Sequence, residues 1–149
     1  MLRRFAKLAH VKRRSTVSGE AESRHLADVA LAGNFDELLA TARATELRYR
    51  HAQATAAPVS EQYPLAKELD ADLTAAMRAA YAAQRAEIGP LGYDDRIYRR
   101  KAMARPAVHR WTDEAERLLT MRETYRLTGF PARLEVDALG VRVARIPAA

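Results

Sequence analysis

The residues best equipped for recognition chemistry are crowded into Gly89–Trp111, GPLGYDDRIYRRKAMARPAVHRW. Arg96, Arg99, Arg100, Lys101, Arg105 and Arg110 follow one another with no acid among them, flanked by Tyr93, Tyr98 and Trp111. A guanidinium pairs bidentately with a carboxylate or phosphate while its stem covers apolar area. Arginine and aromatic residues are also enriched at protein interfaces. Three kinds of partner fit: an acidic protein surface, an RNA whose phosphates are paired and bases stacked, or anionic lipid headgroups with Tyr98 and Trp111 at the interface. A solvated helix with Trp111 turned into the core explains the tryptophan but not the run of arginines. Arg96, Tyr98, Arg99, Arg100, Lys101, Arg105, Arg110 and Trp111 are therefore read as partner-binding.

No local signature of a reaction accompanies them. His10, His25, His51 and His109 lie in different segments, without His-Glu-x-x-His spacing. Asp94-Asp95 is a poor metal or acid–base pair, because adjacent helical residues point apart; both suit the positive end of a helix. The six glycines form no phosphate cradle, and no strand precedes GPLGY. No nucleophile sits in a recognisable elbow. With no cysteine, disulfides, thiolate metal sites and cysteine nucleophiles are excluded. The expectation is a non-enzyme, with no catalytic residue, cofactor or metal.

The chain that must hold this segment has 149 residues, 48% hydrophobic and 30% charged, which suits one soluble domain. Its net charge of +6 is unevenly spread. Residues 1–19 carry six cations and no acid, so the 25 cations less these six leave 19 against all 19 acids. The leader, Met1–Gly19, is basic and hydroxyl-bearing, with Leu2, Phe5, Leu8 and Val11 on one helical side. This is the composition of a mitochondrial targeting segment, trimmed on import or kept as an anchor. The competing reading is a basic arm on an acidic neighbour or RNA. No apolar run approaches the roughly 18 residues that span a bilayer, so membrane association is expected to be peripheral or through partners.

Residues 20–149 read as one helical domain. The first helix, Glu20–Leu31, is expected to bury Ala21, Leu26, Ala27, Val29 and Ala30 and to stop at Gly33. Asn34 caps a second, with Glu37 at capping-box spacing, running to about His51. Gln53–Val59 reads as a loop. The longest helix begins at Ser60 or Tyr63 and carries Leu65, Leu69, Leu73, Ala76, Met77, Ala80, Tyr81 and Ile88 at steps of three and four. Its alanine-rich centre permits close approach on two faces. A short helix follows Asp94-Asp95 and ends at Arg105-Pro106. Thr112 then caps a last helix, which Thr128-Gly129-Phe130-Pro131 terminates. Alternation around Asp137–Gly140 predicts a β-hairpin over 132–146. The fold class is mainly α: a small bundle of about five helices with a short C-terminal hairpin that packs on the helices or extends a partner's sheet.

YDDRIYRRKAMA followed by RWTDEAER resembles the central part of subunit 7 of the mitochondrial cytochrome bc1 complex. Asp95, Arg96, Tyr98, Arg99 and Lys101 match the first block, and Trp111, Thr112 and Glu114 the second. The likeness covers about a quarter of the chain. The spacing between the blocks is shorter than in the family, LRYRHA at Leu47–Ala52 lacks the family's acidic pair, and a terminal hairpin is not a family feature. The resemblance implies a small helical subunit without catalysis, on the matrix side of the inner membrane, packed against cytochrome b and the core proteins. The expected function is thus a structural subunit of a large mitochondrial assembly, in particular a supernumerary subunit of ubiquinol–cytochrome c reductase. The alternative is a mitochondrial ribosomal protein holding rRNA through the leader and Arg96–Arg110.

Overall fold

The computed structural model describes residues 16–129, 134–136 and 142–144. Among these residues six α-helices follow in order: α1 (Gly19–Ala32), α2 (Phe35–Ala54), α3 (Val59–Ile88), α4 (Leu91–Asp94), α5 (Arg96–Ala102) and α6 (Pro106–Thr124). The last runs into a π-helical turn, Tyr125–Gly129. The protein is a mainly helical bundle.

Its spine is α3, whose 30 residues span about 45 Å. Leu69, Leu73, Ala76, Ala79, Ala80, Ala82 and Ala83 are all buried along it. These alanines point in several directions, so α3 is covered on more than one face. Short side chains let the neighbouring helices come close there. α1 and α2, separated only by Gly33 and Asn34, follow α3 in the opposite direction. α1 bonds to its C-terminal half through Asp28–Arg85, and α2 to its N-terminal half through Thr45–Asp72 and Arg48–Glu68. α6 also runs antiparallel to α3, with Thr112 on Gln84, Arg122 on Thr74 and Arg126 on Asp70. The main core joins Phe35, Ala42 and Tyr49 of α2 to Leu69 and Leu73 of α3 and to Ala115 and Leu118 of α6.

Several helix ends differ from expectation. Asn34 does stand at the N-cap of α2, but its side chain makes no capping bond. The expected loop from Gln53 is shorter, because α2 continues to Ala54 and α3 already begins at Val59. Arg105-Pro106 separates two helices as expected, but Thr112 does not start the second. Pro106 is the first residue of α6, where a proline lacks only an N–H that would have no partner anyway. Thr112 lies within the helix, its hydroxyl donating to the Val108 carbonyl at 3.0 Å and accepting from Gln84 Nε2 at 2.6 Å.

The face of α1 is also corrected. Ala21 and Asp28 are its buried residues, whereas Leu26 is 64% and Val29 46% exposed. An ion pair outweighs the apolar pattern here, because Asp28 is tied to both α3 and α4. Of the leader, residues 1–15 lie outside the described residues, and its last residue, Gly19, already belongs to α1. Most of the segment 132–146 also lies outside the described residues; within it Leu134–Val136 and Arg142–Ala144 are antiparallel, with Glu135 opposite Val143.

Candidate interaction surface

α4 and α5 form a hook at the C-terminal end of α3. Gly89 ends α3 with φ of 94°, a left-handed conformation that costs glycine little. Gly92 then packs so tightly that an added Cβ would run into Cγ2 of the buried Ile88. The hook is fastened by Asp28 of α1. Arg85 donates to both Asp28 carboxylate oxygens at 2.7 Å, and the Tyr93 hydroxyl donates to Oδ2. Burial alone would raise the Asp28 pKa, but the bonds from Arg85 and Tyr93 and the Arg85 charge hold it below the usual carboxylate value. Burial and the same carboxylate push Tyr93 up. His25 turns its ring edge-on to Tyr93, with centroids 6.3 Å apart, and its buried Nδ1 has no hydrogen-bond partner among the described residues.

A second fastening lies beside the first. The Ser18 N–H and hydroxyl donate to the two Asp94 carboxylate oxygens at 2.7 and 3.0 Å. The hydroxyl oxygen also accepts from the Ala21 N–H and so caps α1. These donations hold the Asp94 pKa below its ordinary value. Asp95 caps α5, its Oδ1 accepting from the N–H groups of Ile97 and Tyr98 at 2.9 Å. The two adjacent aspartates thus serve different helices.

On this hook the structure gathers Arg96, Tyr98, Arg99, Arg100, Lys101 and Arg105. The five cations among them are exposed, as is Arg110 in the second turn of α6. None of these six cations forms an ion pair among the described residues, whereas Arg48, Arg50, Arg85, Arg117, Arg122 and Arg126 all do. Tyr98 packs inward on the small cluster of Ile88, Ala102 and Val108. Its hydroxyl accepts from Arg105 Nη2 at 2.8 Å, and the Arg105 guanidinium lies 5.2 Å from its ring centroid. Helical phase puts Arg96, Ile97, Arg100 and Lys101 on the outward arc of α5. Ile97 is 70% exposed in the middle of them, and Met103 is exposed just beyond. Arg99 borders a shallow cleft with Arg85, Ile88, Gly92 and Tyr93.

Trp111 stands apart from this group. Its ring is half-buried, meeting Phe35 edge-on at 5.1 Å and 89°. Beside it runs a groove of about 430 Å³, bordered by Arg110, Asp113, Glu114 and Arg117; Glu114 and Arg117 already pair with each other at 2.6 Å.

At the far end, the Tyr49 hydroxyl donates to the Gly129 carbonyl, which also accepts from Gln53. Burial, with Tyr125 nearby, pushes Tyr49 up to about 12. Every shifted group among the described residues moves away from neutrality: carboxylates down, tyrosines and arginines up. Such shifts express pairing and burial.

The sequence reading missed Asp28, the bond by which Tyr93 holds it, and the Ser18–Asp94 contact. Asp28 falls seven residues after Ala21, on the same side of α1, which was the available signal. Among the described residues no three His, Asp or Glu cluster as metal ligands, and no helix is long and apolar enough to cross a membrane. No protein-family model, curated protein or solved structure matches the chain.

Proposed function

We propose that this protein is a non-catalytic accessory subunit of a large mitochondrial assembly, docked through the basic hook at α4–α5. One observation carries the reading: six neighbouring cations are left without acidic partners in a body whose other arginines are mostly paired. The basic leader supplies the mitochondrial address. The block Asp95–Lys101 favours a supernumerary subunit of ubiquinol–cytochrome c reductase, peripheral on the matrix side, through its resemblance to subunit 7. In this reading the paired segments Leu134–Val136 and Arg142–Ala144 would lengthen a partner's sheet.

A ribosomal role is the second reading, favoured by the same unpaired cations, since phosphates would satisfy them equally. The test is recovery of the tagged chain from gently solubilised mitochondria. Co-migration with cytochrome b supports the first reading, and co-migration with rRNA and ribosomal proteins the second. A cytosolic monomer defeats both. Arg96→Glu with Arg99→Glu should release the chain from its assembly while helicity by circular dichroism stays unchanged; unaltered incorporation would place the contact elsewhere.

A further inference from the structure

We infer that the hook binds an acidic protein segment that also presents an apolar side chain to Ile97 and Met103. This rests on the docking reading above and names the chemistry of the occupant. Three features of the surface select it.

The first is charge: Arg96, Arg99, Arg100, Lys101 and Arg105 share one seven-residue helix and its immediate C-terminal extension, with no acidic partner among the described residues. Asp94 and Asp95, the acids closest in sequence, are engaged by Ser18 and by the α5 backbone.

The second is the apolar centre. Ile97 is the most exposed large apolar residue on the hook, and it sits inside the cationic arc rather than at its edge. A phosphate backbone gains nothing from covering it, whereas a leucine or valine among carboxylates does.

The third is the state of the aromatics. Stacking on bases needs an open ring face. Tyr98 has Arg105 over its ring, Tyr93 is bound into the Asp28 cluster, and Trp111 is packed on Phe35. The rings that the sequence suggested for RNA or for a membrane interface are therefore already engaged, while the side chains of Arg96, Arg99, Arg100 and Lys101 have no ion-pair or hydrogen-bond partner among the described residues.

The full-length chain is titrated with four probes: a peptide alternating glutamate blocks with leucines, the same peptide with serine in place of every leucine, poly-uridine RNA, and phosphatidylglycerol vesicles. The leucine-bearing peptide is expected to bind about ten-fold more tightly than the serine-bearing one of equal length and charge. Ile97→Ser should erase that difference and leave the affinity for the serine-bearing peptide unchanged. Arg96→Glu with Arg100→Glu should weaken both peptides roughly a hundred-fold. Equal affinity for the two peptides overturns the inference. So does tighter binding of poly-uridine or of vesicles that is indifferent to Ile97→Ser. Peptide discrimination by a chain that never co-migrates with a large assembly would sink the assembly reading alone; co-migration without discrimination would sink only this one.

Discussion

Removing the two halves of the Asp28–Arg85 pair should have unequal consequences. The Asp28 side chain is only 12% exposed, while that of Arg85 is 44% exposed. Arg85→Met strands a carboxylate that retains the Tyr93 hydroxyl but loses its charged partner, which is expected to cost about 3 kcal/mol, near the low end for a broken buried pair. Asp28→Asn leaves a guanidinium able to turn toward water, and solvent screening limits the cost to about 1.5 kcal/mol. For a chain of this length these losses correspond to falls in Tm of roughly 6–12 °C and 3–6 °C. Asp28→Leu with Arg85→Met should be less destabilising than Arg85→Met alone, because no charge is stranded. Urea denaturation followed by circular dichroism measures all three. The pH dependence has a definite sign. The folded pKa of Asp28 lies below its unfolded value, so its stabilisation is complete above about pH 4 and is lost as pH falls through the folded pKa. The gap between wild type and Asp28→Asn should thus be full at pH 7 and close on acidification below pH 4. Equal costs for the two single variants, or a gap that ignores pH, would refute the reasoning.

Three further outcomes are expected from thermal or urea unfolding. Ala80→Leu places three extra carbons on a fully buried face of α3 and should cost about 1–3 kcal/mol through overpacking; a neutral result would mean α3 has room there. Gly92→Ala drives a methyl group into Cγ2 of Ile88 and should destabilise by about 1 kcal/mol or more, and Ile88→Ala, which removes Cγ2, should cost less in that background than in the wild type. Tyr49→Phe removes the hydroxyl that bonds the Gly129 carbonyl and should cost about 1 kcal/mol, with hydrogen exchange rising first in the π-helical turn.

Local signals carried much of this architecture. The steps of three and four from Leu65 to Ile88 and the Gly89-Pro90 stop describe α3 to within a few residues, because amphipathic period and glycine stops act over one or two turns. The cation run announced the candidate surface, since exposure without acids nearby is visible in a one-dimensional string. What escaped depends on contacts between distant segments. Asp28 meets Arg85 across 57 positions and Tyr93 across 65, and its one local mark, the seven-residue spacing from Ala21, names neither partner. The same contact explains the misassigned face of α1, because an apolar pattern cannot register a charge that finds its partner. Thr112 misled for a different reason: a threonine before acids suits a cap, but Pro106 already supplies a start one and a half turns earlier. Trp111 offered two readings, interface or core, and only the position of Phe35 shows that its half-buried ring packs against the core.

The Gly33–Asn34 break between α1 and α2 behaves as a clutch between two drive shafts. Each residue added or removed there turns α1 about its own axis by about 100°. That is close to the angle separating the inward Ala21–Asp28 side from the outward Leu26–Val29 side. One inserted alanine would therefore roll the greasy side toward α3, unlatch Arg85 and Tyr93 from their aspartate, and set the hook adrift. In this light the polar latch acts as a phase key: it forbids a rotamer of the whole helix that oil-seeking alone would choose.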